Sequence, residues 1–297
     1  MSVLVLLLVT GLALGALYFL AAAGLSLIYG LMRVLNFAHG AFLTVGGYLG
    51  YQVASAFGAA SGSWPVFVLS LVVGSATGAV FAAALELLVV RRLYDREVEQ
   101  VLVTVGVGLA AVALVTGTWG SDARPFPAPA WMARTTGILG AQVPNSRLVC
   151  IAAAALVLTG LTALLGRTRL GLVIRAGVEN RPMVAALGID VRRSFTAVFV
   201  LGGALAGLGG VLAGIYGSSI SPATGDGLLI FAFIVVVIGG LGSVGGAAMA
   251  STVVALIQQL ANYYAASGVG DLLVVAALAL VLLVRPEGLF ARSVRIA

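Results

Sequence analysis

Residues 3–28 read VLVLLLVTGLALGALYFLAAAGLSLI, 26 residues without a single charge. At roughly 1.5 Å of rise per residue, about 20 apolar residues cross the roughly 30 Å of hydrocarbon in a bilayer. A longer run must tilt or break. No basic residues precede this one, it is too long for the apolar core of a signal peptide, and no small-residue cleavage site closes it. It reads as a membrane helix. Eight further apolar runs follow: Ala41–Phe57, Pro65–Val90, Val101–Gly120, Leu148–Gly166, Phe195–Gly217, Leu228–Gly242, Gly245–Ala265 and Leu272–Val284. Leu228–Gly242 and Leu272–Val284 are short and read as tilted or partly re-entrant. The expected fold is an all-α polytopic membrane protein with about 8–9 transmembrane helices, a single domain over residues 1–297.

Composition agrees. Hydrophobic residues make up 61% and charged residues 9%, against roughly 25% charged in a soluble domain, and the mean hydropathy is +1.16. Too few charges cover a water-facing surface, and too much apolar residue is present for disorder. All 16 basic residues are arginine. Without lysine there is neither a Walker-A phosphate loop nor a Schiff-base site. One cysteine, Cys150, excludes an internal disulfide and a cysteine metal cluster, and one histidine, His39, excludes multi-histidine sites. No metal and no cofactor is expected.

The arginines orient the chain. Arg91, Arg92 and Arg96 follow the third run; six lie within 167–193; Arg285, Arg292 and Arg295 end the chain. Nine alternating spans put these on one face with Arg33, 13 in all, leaving Arg124, Arg134 and Arg147 opposite. The positive-inside rule makes the 13-arginine face cytoplasmic, with the N-terminus outside and the C-terminus inside. The net charge of +6 therefore reflects cytoplasmic loops, not a nucleic-acid partner. Segment 121–147 becomes an external loop whose prolines forbid regular helix, with Trp119 and Trp131 suited to the membrane interface. Segment 167–193 becomes a cytoplasmic loop.

Four features bear on function. First, Arg33, Asn36 and His39 stand with Gly40 between two apolar runs. Polar groups near hydrocarbon usually line a bundle interior or a water path. One reading is a broken helix at a translocation pathway; the other is a tight cytoplasmic turn with His39 capping a helix. Asn36, His39 and Thr44 are the candidate pathway residues. Second, Gly239, Gly240, Gly242, Gly245 and Gly246 crowd into eight positions, and Gly203/Gly207 are spaced for close helix approach. Packing or turning is the expected role of Gly203, Gly207, Gly239, Gly240, Gly242 and Gly245. Third, Asn36–Gly47 and Thr224–Gly240 both run from polar or small residues to a Gly-Gly pair, and start on opposite faces, as inverted repeats require. Fourth, Pro182 suits the first turn of a helix and Gly188 its C-terminal stop. A helix of under two turns over Pro182–Leu187, with Met183, Val184 and Leu187 as an apolar face, is expected either to rest on anionic lipid or to dock a cytoplasmic ATPase. Catalysis fits poorly: His39 and Ser243 only loosely imitate a serine hydrolase. Asp95 and Asp226 fall at opposite ends of the bundle, so no paired-aspartate site forms.

Gly24-Leu-Ser-Leu-Ile-Tyr-Gly30, Arg33-Val-Leu-Asn-Phe-Ala-His-Gly40, Ile174-Arg-Ala, Glu179-Asn, Ala186-Leu-Gly-Ile-Asp190, Gly239-Gly-Leu-Gly-Ser243 and Arg285-Pro-Glu-Gly-Leu-Phe290 together resemble the branched-chain amino acid ABC transporter permease family of LivH type. The resemblance runs from about residue 11 to 290, with Ala41 where many relatives have Glu and Ala291 where Gly is frequent. It implies a type II ABC importer-like permease with inverted repeats and broken helices, sited in the bacterial inner membrane. It also implies partners: a second homologous permease, usually different, two cytoplasmic ABC ATPases and an external solute-binding protein, with membrane lipid around them. Carried over, Glu179–Asp190 is the coupling helix, with Glu179, Asn180, Pro182, Met183, Leu187 and Gly188 facing the ATPase. The chain itself is then no enzyme, and ATP hydrolysis belongs to separate subunits. A stand-alone secondary carrier or channel for an amino acid, amide or urea is the alternative. It would need acids at depth, and Glu86 is the one acid expected inside the membrane.

Overall fold

A computed structural model describes residues 2–32, 35–57, 63–94, 96–179, 181–186, 190–286 and 288–290. Each of the nine apolar runs is a helix: α1 Ser2–Met32, α2 His39–Ala56, α3 Trp64–Leu88, α4 Glu97–Trp119, α6 Asn145–Arg167, α9 Val191–Gly217, α10 Thr224–Gly239, α11 Val244–Tyr264 and α12 Val269–Val284. Among the described residues, α1, α3, α4, α6, α9 and α11 are long and apolar enough to cross a membrane, while α10 and α12 are shorter apolar helices. At 31 residues α1 is unbroken, about 46 Å long, and so longer than the hydrocarbon layer it crosses. A multi-pass helical membrane protein results.

The core lies where α1, α2, α3 and α9 meet. Phe42, Phe199, Leu20 and Leu212 are fully enclosed there, whereas Leu109 and Leu114 of α4, Leu156 of α6 and Leu280 and Leu283 of α12 are exposed. An apolar outer face is what a helix bordering lipid requires. Glycine lets the central backbones touch. A Cβ on Gly207 would overlap the carbonyl oxygen of Gly74 on α3, and one on Gly46 of α2 would overlap Gly207 Cα at 2.5 Å. Small residues drive such contacts because helices in lipid gain from packing rather than from water exclusion.

The bundle has two chemically distinct ends. At one, Arg91 donates to Thr196 Oγ1 at 2.8 Å, joining the turn after α3 to the start of α9. At the other, Arg147 donates to the Tyr216 carbonyl at 2.6 Å and stacks over the Tyr216 ring at 3.5 Å. Segment 121–147 is more ordered than its prolines suggest. Strand β1 Arg124–Pro125 pairs antiparallel with β4 Ser219–Ile220, and β2 Thr135–Ile138 pairs with β3 Ala141–Pro144. Leu139 and Gly140, both at positive φ (47° and 81°), form the two-residue hairpin turn, a geometry matched to strand twist. One turn of helix, α5 Ala130–Ala133, begins directly after Pro129. Proline excludes helix interiors but not helix starts.

The arginine-rich loop also holds more helix than the sequence suggests. Helix α7 Arg169–Glu179 precedes α8 Arg181–Ala186. Gly171, Ile174 and Gly177 of α7 are buried while Leu172 and Arg175 are exposed. The expected apolar face of α8 divides: Val184 is buried and Met183 is 62% exposed. Asn180, Leu187 and Gly188 lie outside the described residues, as do Arg33 and Asp95, and no side-chain position is described for Glu179 or Pro182.

Candidate translocation site

Two helix starts meet in the middle of the bundle. The start of α2 sits level with the centres of its neighbours. A Cβ on Gly108, midway along α4, would lie 3.5 Å from Ala38 Cα, and one on Gly24 would lie 2.9 Å from the His39 ring, beside Gly202 of α9. His39 is fully buried, with Nε2 3.0 Å from the Ala21 carbonyl oxygen of α1. A cytoplasmic turn capped by His39 is therefore overturned. Asn36, itself 1% exposed, forms the turn that leads into α2. Its side-chain oxygen accepts from Ala38 N at 3.1 Å and its carbonyl from His39 N at 3.2 Å. Phe37 N donates to Thr104 Oγ1 of α4 at 3.4 Å. Each bond satisfies a backbone group that a break at this depth would leave orphaned.

The chain enters α10 from the opposite end, after α9 and β4. Thr44 joins the two starts: its hydroxyl donates to the Pro222 carbonyl at 3.3 Å and accepts from Gly225 N at 3.2 Å. A Cβ on Gly225 would overlap the Gly40 carbonyl oxygen, so the backbones are in contact. From this seam the helices run apart. Helix α2 ends near Trp119, whose ring nitrogen donates to Gln52 at 2.9 Å. Helix α10 ends at the arginine-rich face, where Leu289 N donates to the Ile238 carbonyl at 2.8 Å. Two helices shorter than their neighbours, of 18 and 16 residues, entering from opposite faces and starting inside the bundle, form the pattern around which inverted-repeat transporters build their sites.

Asp226 belongs at this seam, not at the external end. Its Oδ1 lies 2.9 Å from where a Cβ on Gly40 would sit, yet the residue is exposed on this chain. A carboxylate in the first turn of a helix gains about 0.3–1 kcal/mol from the dipole. At the centre of a hydrocarbon layer an acidic side chain costs about 2.5–3.5 kcal/mol. The dipole does not offset that cost, so this side of α10 borders water or another protein surface and not acyl chains.

The glycines divide by role. Gly203 lies against Gly78 and Ala82 of α3, and Gly239 against Gly246, where a Cβ would come within 2.6 Å. Gly240 and Gly242 have φ of 91° and 84°, a left-handed backbone that side chains disfavour, and turn the chain into α11. Gly245 meets nothing within 4 Å; neither packing nor positive φ requires glycine there, and its neighbour Gly246 makes the contact instead. Ser243 caps α11 by accepting from Gly246 N at 3.0 Å, a structural use of the hydroxyl.

One cluster escaped the sequence reading. Glu86, fully buried near the end of α3, accepts from Arg91 Nε at 3.2 Å, Arg91 Nη2 at 3.3 Å, Thr196 Oγ1 at 2.8 Å and the Tyr94 hydroxyl. Burial and the carboxylate together hold the Tyr94 hydroxyl protonated far above its ordinary range. The available signal was an acid in an apolar run followed by Arg and Tyr, since a carboxylate at such a place requires partners. The cluster ties α3 to the start of α9, six residues past the Asp190 cap, whose side chain accepts from Arg192 N and Arg193 N at 3.1 and 3.3 Å.

These features define a membrane transport permease: a helical bundle with opposed broken helices and a structured loop at its basic end. Residues 7–284 match the family described as branched-chain amino acid transport system, permease component, and the chain belongs to that family. It is 27% identical over 289 residues to the high-affinity branched-chain amino acid permease LivH of Escherichia coli K12, covering 95% of this chain and 94% of that one. It is 29% identical over 296 residues to BraD of Pseudomonas aeruginosa, covering 96% and 95%. To a probable LivH of Methanocaldococcus jannaschii it is 31% identical over 258 residues, covering 84% and 79%. No solved structure matches the chain.

Proposed function

We propose that this chain is the membrane permease of an ATP-binding-cassette importer that carries branched-chain or related amino acids inward by alternating access. The observation that carries the reading is the pair of helix starts meeting at mid-depth from opposite faces, joined through Thr44. The names of the relatives supply the substrate class. The arginine-rich end faces the cytoplasm of a bacterial inner membrane, with the N-terminus outside. Two ATPases dock there on α7 and α8, Glu179–Asp190 being the coupling segment. A second homologous permease sits alongside in the membrane, and a solute-binding protein delivers substrate to the outer face.

The internal mechanics follow from the contacts. ATP-driven closure of the ATPases displaces α7 and α8. Helix α9 begins just past α8 at the Asp190 cap and is fastened to α3 by Glu86 and by the Gly78–Gly203 and Gly74–Gly207 contacts. Displacement at the loop thus moves α9 and α3 together. The α2–α10 seam beside them responds by opening to one face or the other. Asn36, His39 and Thr44 hold the α2 side of that seam.

Leucine uptake into proteoliposomes by the assembled transporter should require ATP. Deleting 182–188 should abolish co-purification of the ATPases while leaving membrane insertion intact; normal co-purification rejects the coupling assignment. Asp226, an acid at depth, is the one observation favouring an ion-coupled carrier. Leucine uptake by the purified chain alone under a proton gradient would select that alternative.

A further inference from the structure

The segment Arg285-Pro-Glu-Gly-Leu-Phe290 follows α12 at the basic end of the bundle, and its described residues return to the end of α10. Leu289 N donates to the Ile238 carbonyl at 2.8 Å, satisfying one of the carbonyls that a helix end leaves without a partner. Gly288 has a φ of 90°, and a Cβ there would lie 2.6 Å from Gly240 Cα, so the two backbones touch. The same turn meets α1, where a Cβ on Gly30 would lie 2.8 Å from Gly242 Cα. Helix α1 ends at Met32, so the α10–α11 turn lies where the helices leave the bundle. Leu31 in turn meets α7: a Cβ on Gly177 would come within 2.7 Å of Leu31 Cδ1. Close contacts therefore run from α7 through the end of α1 to the turn and the C-terminal segment.

Three apolar side chains are exposed on this block. Leu241 stands at the tip of the turn, between the positive-φ Gly240 and Gly242, and Leu289 and Phe290 belong to the C-terminal segment. Arg285 is exposed as well. A single surface leucine needs no explanation, but a cluster at a water-facing end calls for a cover. Resting on the coupling assignment above, we propose that this patch is a second contact for the cytoplasmic ATPase, through which nucleotide-driven closure acts on α10 directly. The occupant is a protein surface with an apolar hollow and an acidic edge for Arg285. Acyl chains fit poorly, because the tip of a turn joining two helices packed through Gly239 and Gly246 points along the bundle and not sideways. Continuity selects the ATPase: a surface covering α7 and α8 meets the end of α1 and this turn next. Three side chains are too few to hold a partner alone, so α7 and α8 carry the attachment and the patch carries the push. The Gly288 and Leu289 contacts make the turn, the C-terminal segment and α10 move together.

The test uses the complete transporter, with its partner permease, ATPases and binding protein. In inside-out membrane vesicles Leu241→Cys should react with a membrane-impermeant maleimide only after the ATPases are stripped with urea. Cys150 is fully buried and leaves a low background. Equal labelling with and without the ATPases overturns the contact. Absence of labelling in both states places the turn in lipid and overturns it too. In proteoliposomes Leu241→Asp and Gly288→Ala should each lower the leucine imported per ATP hydrolysed by about fivefold or more, the first at the surface and the second by forcing the C-terminal segment off Gly240. Leu241→Met should keep the wild-type ratio. An unchanged ratio in either of the first two variants overturns direct action on α10. Normal co-purification of the ATPases after deleting 182–188 rejects the coupling assignment itself. Loss of co-purification there, with labelling at 241 that ignores the ATPases, rejects the second contact alone.

Discussion

Helices α2 and α10 begin at the same depth, touch through Gly40 and Gly225, and point in opposite directions, yet their starts are built differently. The α2 start is mostly enclosed: Asn36, Ala38, His39 and Gly40 are buried while Phe37 is exposed, and the Asn36 side chain accepts from Ala38 N. The α10 start is more open: Ala223, Asp226 and Gly227 are exposed, its Gly225 N–H is held by Thr44 of α2, and a cavity adjoins it. An inverted repeat supplies two similar backbones, and side chains then divide the labour. One start is held inside the bundle and the other is exposed on this chain.

That contrast can be broken at several points. The largest effect is expected at Glu86, which registers α9 on α3 and so holds the frame in which both starts sit. Glu86→Ala leaves Arg91 and two hydroxyls without their acceptor and should cost about 3 kcal/mol, the low end for a broken buried pair because Arg91 is partly exposed. Glu86→Gln should cost less. Reversible unfolding in mixed detergent micelles measures both. Gly225→Ala pushes a methyl group into the Gly40 carbonyl, and backbone has little room to yield. A loss of about 2 kcal/mol is expected, and an unchanged melting temperature would mean that the seam is looser than described. Asn36→Ala removes the turn bond at the α2 start and strands the buried Ala38 N–H, for about 1–2 kcal/mol. Asp226→Asn on the exposed α10 start should change stability by less than about 0.5 kcal/mol. Equal stability losses at positions 36 and 226 would erase the distinction between the starts. The smallest effect is expected at Gly227, where a Cβ meets nothing within 4 Å. Gly227→Ala should stabilise by about 0.5 kcal/mol through the unfolded chain.

Much of this arrangement is legible in one dimension. Every apolar run became a helix, because hydrophobic length is a local property that the bilayer reads directly. The resemblance carried by Asn36–Gly40 and the loop blocks led to the family. The opposed segments Asn36–Gly47 and Thr224–Gly240 were visible as a pair through their polar starts and Gly-Gly ends. Other features were not legible, for identifiable reasons. Asp226 precedes the apolar run at Leu228, so counting from hydrocarbon placed it outside; the chain in fact turns back into the bundle before α10 begins. Helix α7 was missed because Arg169 and Arg175 interrupt the pattern and the buried face made by Gly171, Ile174 and Gly177 is too small to read as apolar. Gly245 looked like its neighbours, and only the surrounding atoms separate it from Gly246.

By itself the sequence determined that this is a helical membrane permease, where its apolar helices run and which end is basic. Each of these depends on runs of residues and their charges. The tertiary structure alone decided depth, burial and access: that two helices start at the centre, that His39 is enclosed while Asp226 is exposed, and that Glu86 is matched by partners up to 110 residues away. Depth belongs to a residue's neighbours across the bundle rather than along the chain, and those neighbours are set by which backbones glycine allows to touch.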